Sequence, residues 1–112
     1  MDTCFHVLGE KHSMVIVMIH GTGMSWDMLM DSAEILREKY CVVLVSVPGH
    51  DPNTTEEFTS VEQVAGKIEA GLIEMGRSNI DLLYGLSMGG GIAIRILADN
   101  RLSIRRAVIY KI

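Results

Sequence analysis

Tyr84-Gly85-Leu86-Ser87-Met88-Gly89-Gly90-Gly91 is the stretch that decides the fold. Ahead of it, residues 80–84 (Ile-Asp-Leu-Leu-Tyr) form a short apolar run of the kind that fills a buried strand. Behind it, residues 92–98 read as a helix. Gly85-x-Ser87-x-Gly89 therefore falls where a strand turns abruptly into a helix, the setting of a nucleophile elbow. There a serine sits on a strained turn with its hydroxyl exposed. A serine driven to positive φ crowds its neighbours, so the positions two before and two after it must lack side chains for the turn to close. The helix beginning at the serine also aims free N–H groups and the positive end of its dipole at the same spot. The competing expectation is a glycine-rich turn whose serine merely caps the helix.

Working outward, residues 14–19 are uninterrupted apolar sequence rich in β-branched side chains, as in a strand covered on both faces. The run ends in the loop His20-Gly21-Thr22-Gly23. A helix is then expected from near Ser25, its N-cap, with Trp26, Leu29, Ala33, Leu36 and Tyr40 on one face. Residues 41–47 give a second buried strand, stopped by Pro48-Gly49-His50-Asp51-Pro52. Ser60-x-x-Gln63 has capping-box spacing, and Val61, Val64, Ala65, Ile68 and Leu72 mark a long amphipathic helix ending near Gly76. The elbow helix runs to about Asp99, and residues 106–110 read as a fourth strand. Phe5 to Leu8 is a possible short edge strand. Strand and helix alternate throughout, which predicts an α/β three-layer sandwich: a mostly parallel sheet with helices on both faces.

The chain of 112 residues is long enough for one small domain, and its 48% hydrophobic and 21% charged content argue for a packed core. A net charge of −4 with scattered basic residues makes nucleic acid and anionic membrane unfavoured partners. Arg101, Arg105 and Arg106 come nearest to a basic cluster and are expected to solvate a helix end and a strand entrance. Two cysteines, Cys4 and Cys41, imply no framework of bridges, and Cys41 reads as a small buried hydrophobe. Asn53-Thr54-Thr55 fits the glycosylation pattern but is expected to be a turn. No signal peptide or membrane span is expected, so the default compartment is the cytoplasm. His6 and His12 are expected to face solvent. Neither a cofactor nor a metal site is expected.

His20-Gly21-Thr22-Gly23 after the first buried strand, Pro48-Gly49-His50-Asp51 after the second and Gly85-Leu86-Ser87-Met88-Gly89-Gly90 after the third together resemble the α/β-hydrolase superfamily. The likeness covers nearly the whole chain from Met14 onward. It implies a serine hydrolase of carboxylic ester-type substrates, esterase- or lipase-like, with Ser87 as nucleophile. Two preorganised backbone N–H donors would stabilise the oxyanion, each worth about 2.7–4 kcal/mol of barrier. By the resemblance one is the N–H of Met88 and the other comes from Thr22, with Gly23 the alternative. Gly21 and Gly23 would let that backbone approach the substrate, and Gly85, Gly89 and Gly90 would support the elbow. His20 and His50 would be structural, orienting the oxyanion loop or closing a turn. Asp51 and Asp81 look like a turn residue and a strand residue. Trp26 and Met88 are candidates for an acyl pocket, with plain core packing the alternative for Trp26. The implied strand order sets the first and third buried strands side by side where the sheet reverses its winding, a point at which sites form.

The sequence departs from the resembling family in one large respect. Triad order in that fold is serine, acid, histidine, yet no histidine follows Ser87, and Asp99 lies at the wrong end of its helix. An unactivated serine is a weak nucleophile. The expectation is therefore a single incomplete α/β-hydrolase domain over residues 1–112, its N-terminal half, with four parallel strands and little or no turnover. Its open apolar edge at residues 107–112 is expected to drive homo-oligomerisation. A non-catalytic interaction module on the same scaffold is the alternative. A Rossmann-type nucleotide-binding domain is disfavoured: Met24-Ser25-Trp26 after Gly23 supplies no third glycine, and no phosphate-binding P-loop occurs.

Overall fold

The computed structural model describes residues 5–49 and 58–110. Continuous apolar runs become central strands. β2 (Val15–Ile19) and β3 (Cys41–Val45) are buried at every residue, as strands covered on both faces must be. β1 (Phe5–Leu8) pairs antiparallel with β3. β5 (Leu82–Leu86) and β7 (Ala107–Tyr110) complete a five-stranded sheet in the order β1-β3-β2-β5-β7, all parallel except β1. The order reverses at β2, which lies between β3 and β5, so β2 and β5 meet side by side at the switch point.

Alternation along each strand sorts the core into two layers. Val15, Val17 and Ile19, with Val43, Val45 and Leu83, meet Val64, Ile68 and Leu72 of α2 (Val61–Glu74) and Ile92 and Ile96 of α3 (Met88–Asp99). Ile16, Met18, Val42 and Leu44 point the other way, toward Leu29 and Ala33. This is the expected three-layer α/β arrangement, with Cys41 fully buried in it. Burial pushes the Cys41 thiol above its ordinary pKa.

The α2 N-cap forms as its spacing predicts, Ser60 Oγ accepting from the Gln63 N–H at 3.1 Å. Other expectations need correction. The helix expected from Ser25 begins as a 3-10 turn (Trp26–Leu29) and is α-helical only as α1 (Met30–Leu36), so Tyr40 lies beyond it. Ser25 does not cap, because its hydroxyl is taken by the Asp27 carboxylate. The run at 80–84 is split at Asp81, whose N–H and carboxylate clamp Val15 O and Val15 N–H at 2.9 and 2.8 Å. Ile80 is thereby diverted into a separate parallel ribbon of β4 (Asn79–Ile80) and β6 (Ser103–Ile104). His6 and His12 are half-buried, not solvent-facing. His6 lies flat on the Trp26 ring with centroids 3.5 Å apart. Cys4, His50, Asp51 and the Asn53-Thr54-Thr55 turn fall outside the described residues.

Candidate active site

β5 delivers the chain to Ser87 and α3 carries it away. Between them Ser87 takes φ 56°, ψ −113°, a conformation that L residues avoid at a cost of about 1–3 kcal/mol. Three hydrogen bonds hold it there. Its N–H donates to Tyr110 O at 2.7 Å, and its carbonyl accepts from Gly90 N–H at 2.8 Å and Gly91 N–H at 3.3 Å. Ser87 is exposed and makes no side-chain cap bond, so capping is not its purpose.

Close approach explains the flanking glycines. A methyl at Gly85 would collide with the Gly89 carbonyl, one at Gly89 with the carbonyls of Ile19 and His20, and one at Gly90 would lie 2.9 Å from Ile109 Cγ2. These contacts pull the first turn of α3 down onto the end of β2. That turn carries no carboxylate, so nothing local offsets the positive end of the helix.

The loop after β2 arrives beside the serine. A methyl on Gly21 would sit 3.1 Å from Ser87 Cβ and 3.0 Å from Leu86 O, which fixes how closely the two segments run. Met24 N–H donates to Gly21 O at 3.2 Å, closing a β-turn with Thr22 and Gly23 at its centre. Gly23 has φ +78°, the value the third residue of a type II turn requires. Thr22 and Gly23 are exposed. Among the described residues no backbone acceptor takes the N–H of Thr22, Gly23 or Met88.

His20 is fully buried beneath this loop. Val47 N–H can only donate, so the Nε2 it reaches at 3.0 Å is the unprotonated nitrogen. The proton therefore resides on Nδ1, 3.0 Å from Gly21 O, to which it donates. The ring ties Val47, just past β3, to Gly21 in the loop before Thr22.

Met88 is half-buried against the α2–α3 core layer, and Trp26 packs in the α1 layer, so core packing accounts for Trp26. A groove of about 750 Å³ lies elsewhere, on the α1 face between Ile16, Leu36, Tyr40, Leu82 and Val108. Among the described residues no cluster of metal-ligating side chains occurs and no helix is long and apolar enough to cross a membrane. One participant escaped the sequence: the Tyr110 carbonyl that holds Ser87. A backbone acceptor 23 residues away leaves no mark in residue type.

This strand-turn-helix over a parallel sheet, with a glycine loop set against the serine, defines the hydrolase class of α/β proteins. The profile of the alpha/beta hydrolase family matches residues 16–110, and the chain belongs to that family. It is 31% identical over 85 residues to the dihydrolipoyllysine-residue acetyltransferase component of the acetoin cleaving system of Cupriavidus necator, a match spanning 75% of this chain and 22% of the relative. Among solved structures it is similar to an alpha/beta hydrolase family protein from Desulfitobacterium hafniense, with a TM-score of 0.83 and 27% identity over 93% of this chain and 41% of that one. A thermophilic esterase from Thermogutta terrifontis shares the fold with a TM-score of 0.75 at 21% identity, over 89% of this chain and 36% of its own. The chain thus spans well under half the length of these relatives.

Proposed function

We propose that the chain carries the nucleophile and oxyanion elements of a serine hydrolase acting on small carboxylic ester-type substrates. The observation that carries this reading is the exposed, left-handed Ser87 at the head of α3 with Gly21 packed against its Cβ. Ser87 Oγ would attack the acyl carbon, forming a C–O bond while the carbonyl π electrons move onto oxygen. The N–H of Met88 and of Thr22, with Gly23 the alternative donor, would receive that oxyanion. Such donors stabilise charge only as it develops, which is what lowers a barrier. Collapse would expel the alcohol and leave an acyl-serine for water to cleave.

Attack also requires somewhere for the serine proton to go. His20 is buried with both nitrogens engaged. Asp99 is a full helix length away at the end of α3. The reading therefore includes little turnover by these residues alone, with acid and base supplied from beyond them, since without a base the serine stays protonated.

Incubation with a fluorophosphonate probe, followed by peptide mapping, tests both parts. Slow labelling confined to Ser87 and abolished by Ser87→Ala is expected. Labelling at another residue would overturn Ser87 as nucleophile. Rapid stoichiometric labelling would show that a base is already present.

A further inference from the structure

Far from Ser87, at the opposite end of α3, a carboxyl is buried that the proposed chemistry does not use. Glu69 on α2 is 1% exposed. Its Oε1 accepts from Arg101 Nη1 at 3.1 Å. Its Oε2 is buried and receives no hydrogen bond from any described residue. The charged groups around it are few. Asp99, the last residue of α3, faces it and accepts from Arg95 Nε at 2.8 Å. Arg95 Nη1 in turn lies 3.9 Å from Glu62 Oε2 at the start of α2. Three carboxylates thus share two guanidinium groups, both of them half-exposed and partly screened by water. Ionised, Glu69 would hold a second negative oxygen in the interior with nothing to receive it, at a substantial desolvation cost. Protonated, the Glu69 carboxyl becomes a donor, and Asp99 is the carboxylate within its hydrogen-bonding reach.

We propose that Glu69 and Asp99 share one proton across the α2–α3 junction, and that its loss unlatches the end of α3 at Asp99 from α2. The helix end is suited to this. Asn100 ends α3 in the left-handed region at φ 55°, and Arg101 follows directly. The acid strengths fit the geometry. Burial, then the Asp99 carboxylate, push the Glu69 pKa up to about 7. Asp99 is lowered, chiefly by the hydrogen bond from Glu69.

The sign follows from linkage. Glu69 binds its proton more tightly in the folded chain than at its ordinary value of 4.5. Its stabilisation is complete below that value and is lost as pH rises to about 7. With one proton at stake, the folding equilibrium constant falls by up to about tenfold per pH unit across that window. Glu69→Gln keeps an acceptor for Arg101 and replaces the acid proton with an amide donor, so the variant holds the latch closed at every pH. Thermal melts of both proteins from about pH 5 to about pH 8 read this out. The wild type is expected to lose melting temperature as pH rises while Glu69→Gln stays flat and melts higher at the alkaline end. Parallel profiles would overturn the proposal. Should Glu69→Gln not fold, carboxyl NMR titration of the unaltered protein decides: a Glu69 midpoint near its ordinary value overturns the shared proton, and one near neutrality supports it.

Discussion

At Ser87 the backbone strain is local and the means of holding it are not. Ile19 and His20 carbonyls press on Gly89, and Gly85 presses on the same turn, so the glycines at 85 and 89 are dictated by touching backbones. Gly89→Ala should cost about 1–3 kcal/mol or more, because backbone cannot move aside as a side chain can. Gly91, two positions further along α3, is exposed with open space around it. There alanine should raise stability by about 0.5–1 kcal/mol through its better helix propensity. Urea denaturation of the two variants gives opposite shifts in midpoint if the elbow is packed as described. His20→Ala removes the acceptor for Val47 N–H, and a buried unsatisfied amide alone costs about 1–3 kcal/mol.

Elements were legible in proportion to how far their signals were local. β2 and β3 are β-branched runs buried on both faces, and α2 carries its own cap and period. Ser60→Ala should therefore cost about 0.5–2 kcal/mol, read from the loss in melting temperature, through the orphaned Gln63 N–H. The region from Ser25 to Tyr40 was read correctly for which residues face inward and wrongly for its geometry. A periodic apolar face does not distinguish a 3-10 turn plus a short helix from one long helix, and the Ser25–Asp27 contact diverts the expected cap. Asp81 was read as an ordinary strand residue, yet its clamp on Val15 divides the strand, a tertiary effect from 66 residues away. Glu69 was invisible for the same reason. It lies on a helix rich in exposed polar residues, and only Arg101, 32 positions on, reveals that it is inside.

At the scale of the molecule, the alternation of strand and helix was enough for the three-layer fold, while the meeting of β2 with β5 came only from the family resemblance. The uncovered surface is equally informative. All four residues of β7 are exposed, and Val108, Ile109 and Tyr110 are 45%, 39% and 57% accessible on an uncharged edge strand. Natural edges of this composition are covered or blunted. We propose that the chain self-associates through this edge, and sedimentation at micromolar concentration should show a dimer or larger species. A monodisperse monomer would end that expectation. Lys or Glu in place of Val108 should shift any assembly toward monomer, since a charge beside a pairing strand opposes it.

The bond from Ser87 N–H to Tyr110 O runs between the strained bend at the head of α3 and the edge strand β7. The tether of the serine is thus moored at the rim, where fraying starts. A version shortened ahead of Tyr110, or a protease clipping there, would slacken the bend at Ser87 while leaving every side chain around it in place. Where an engineer chooses to stop the polypeptide therefore decides whether that hydroxyl keeps its aim.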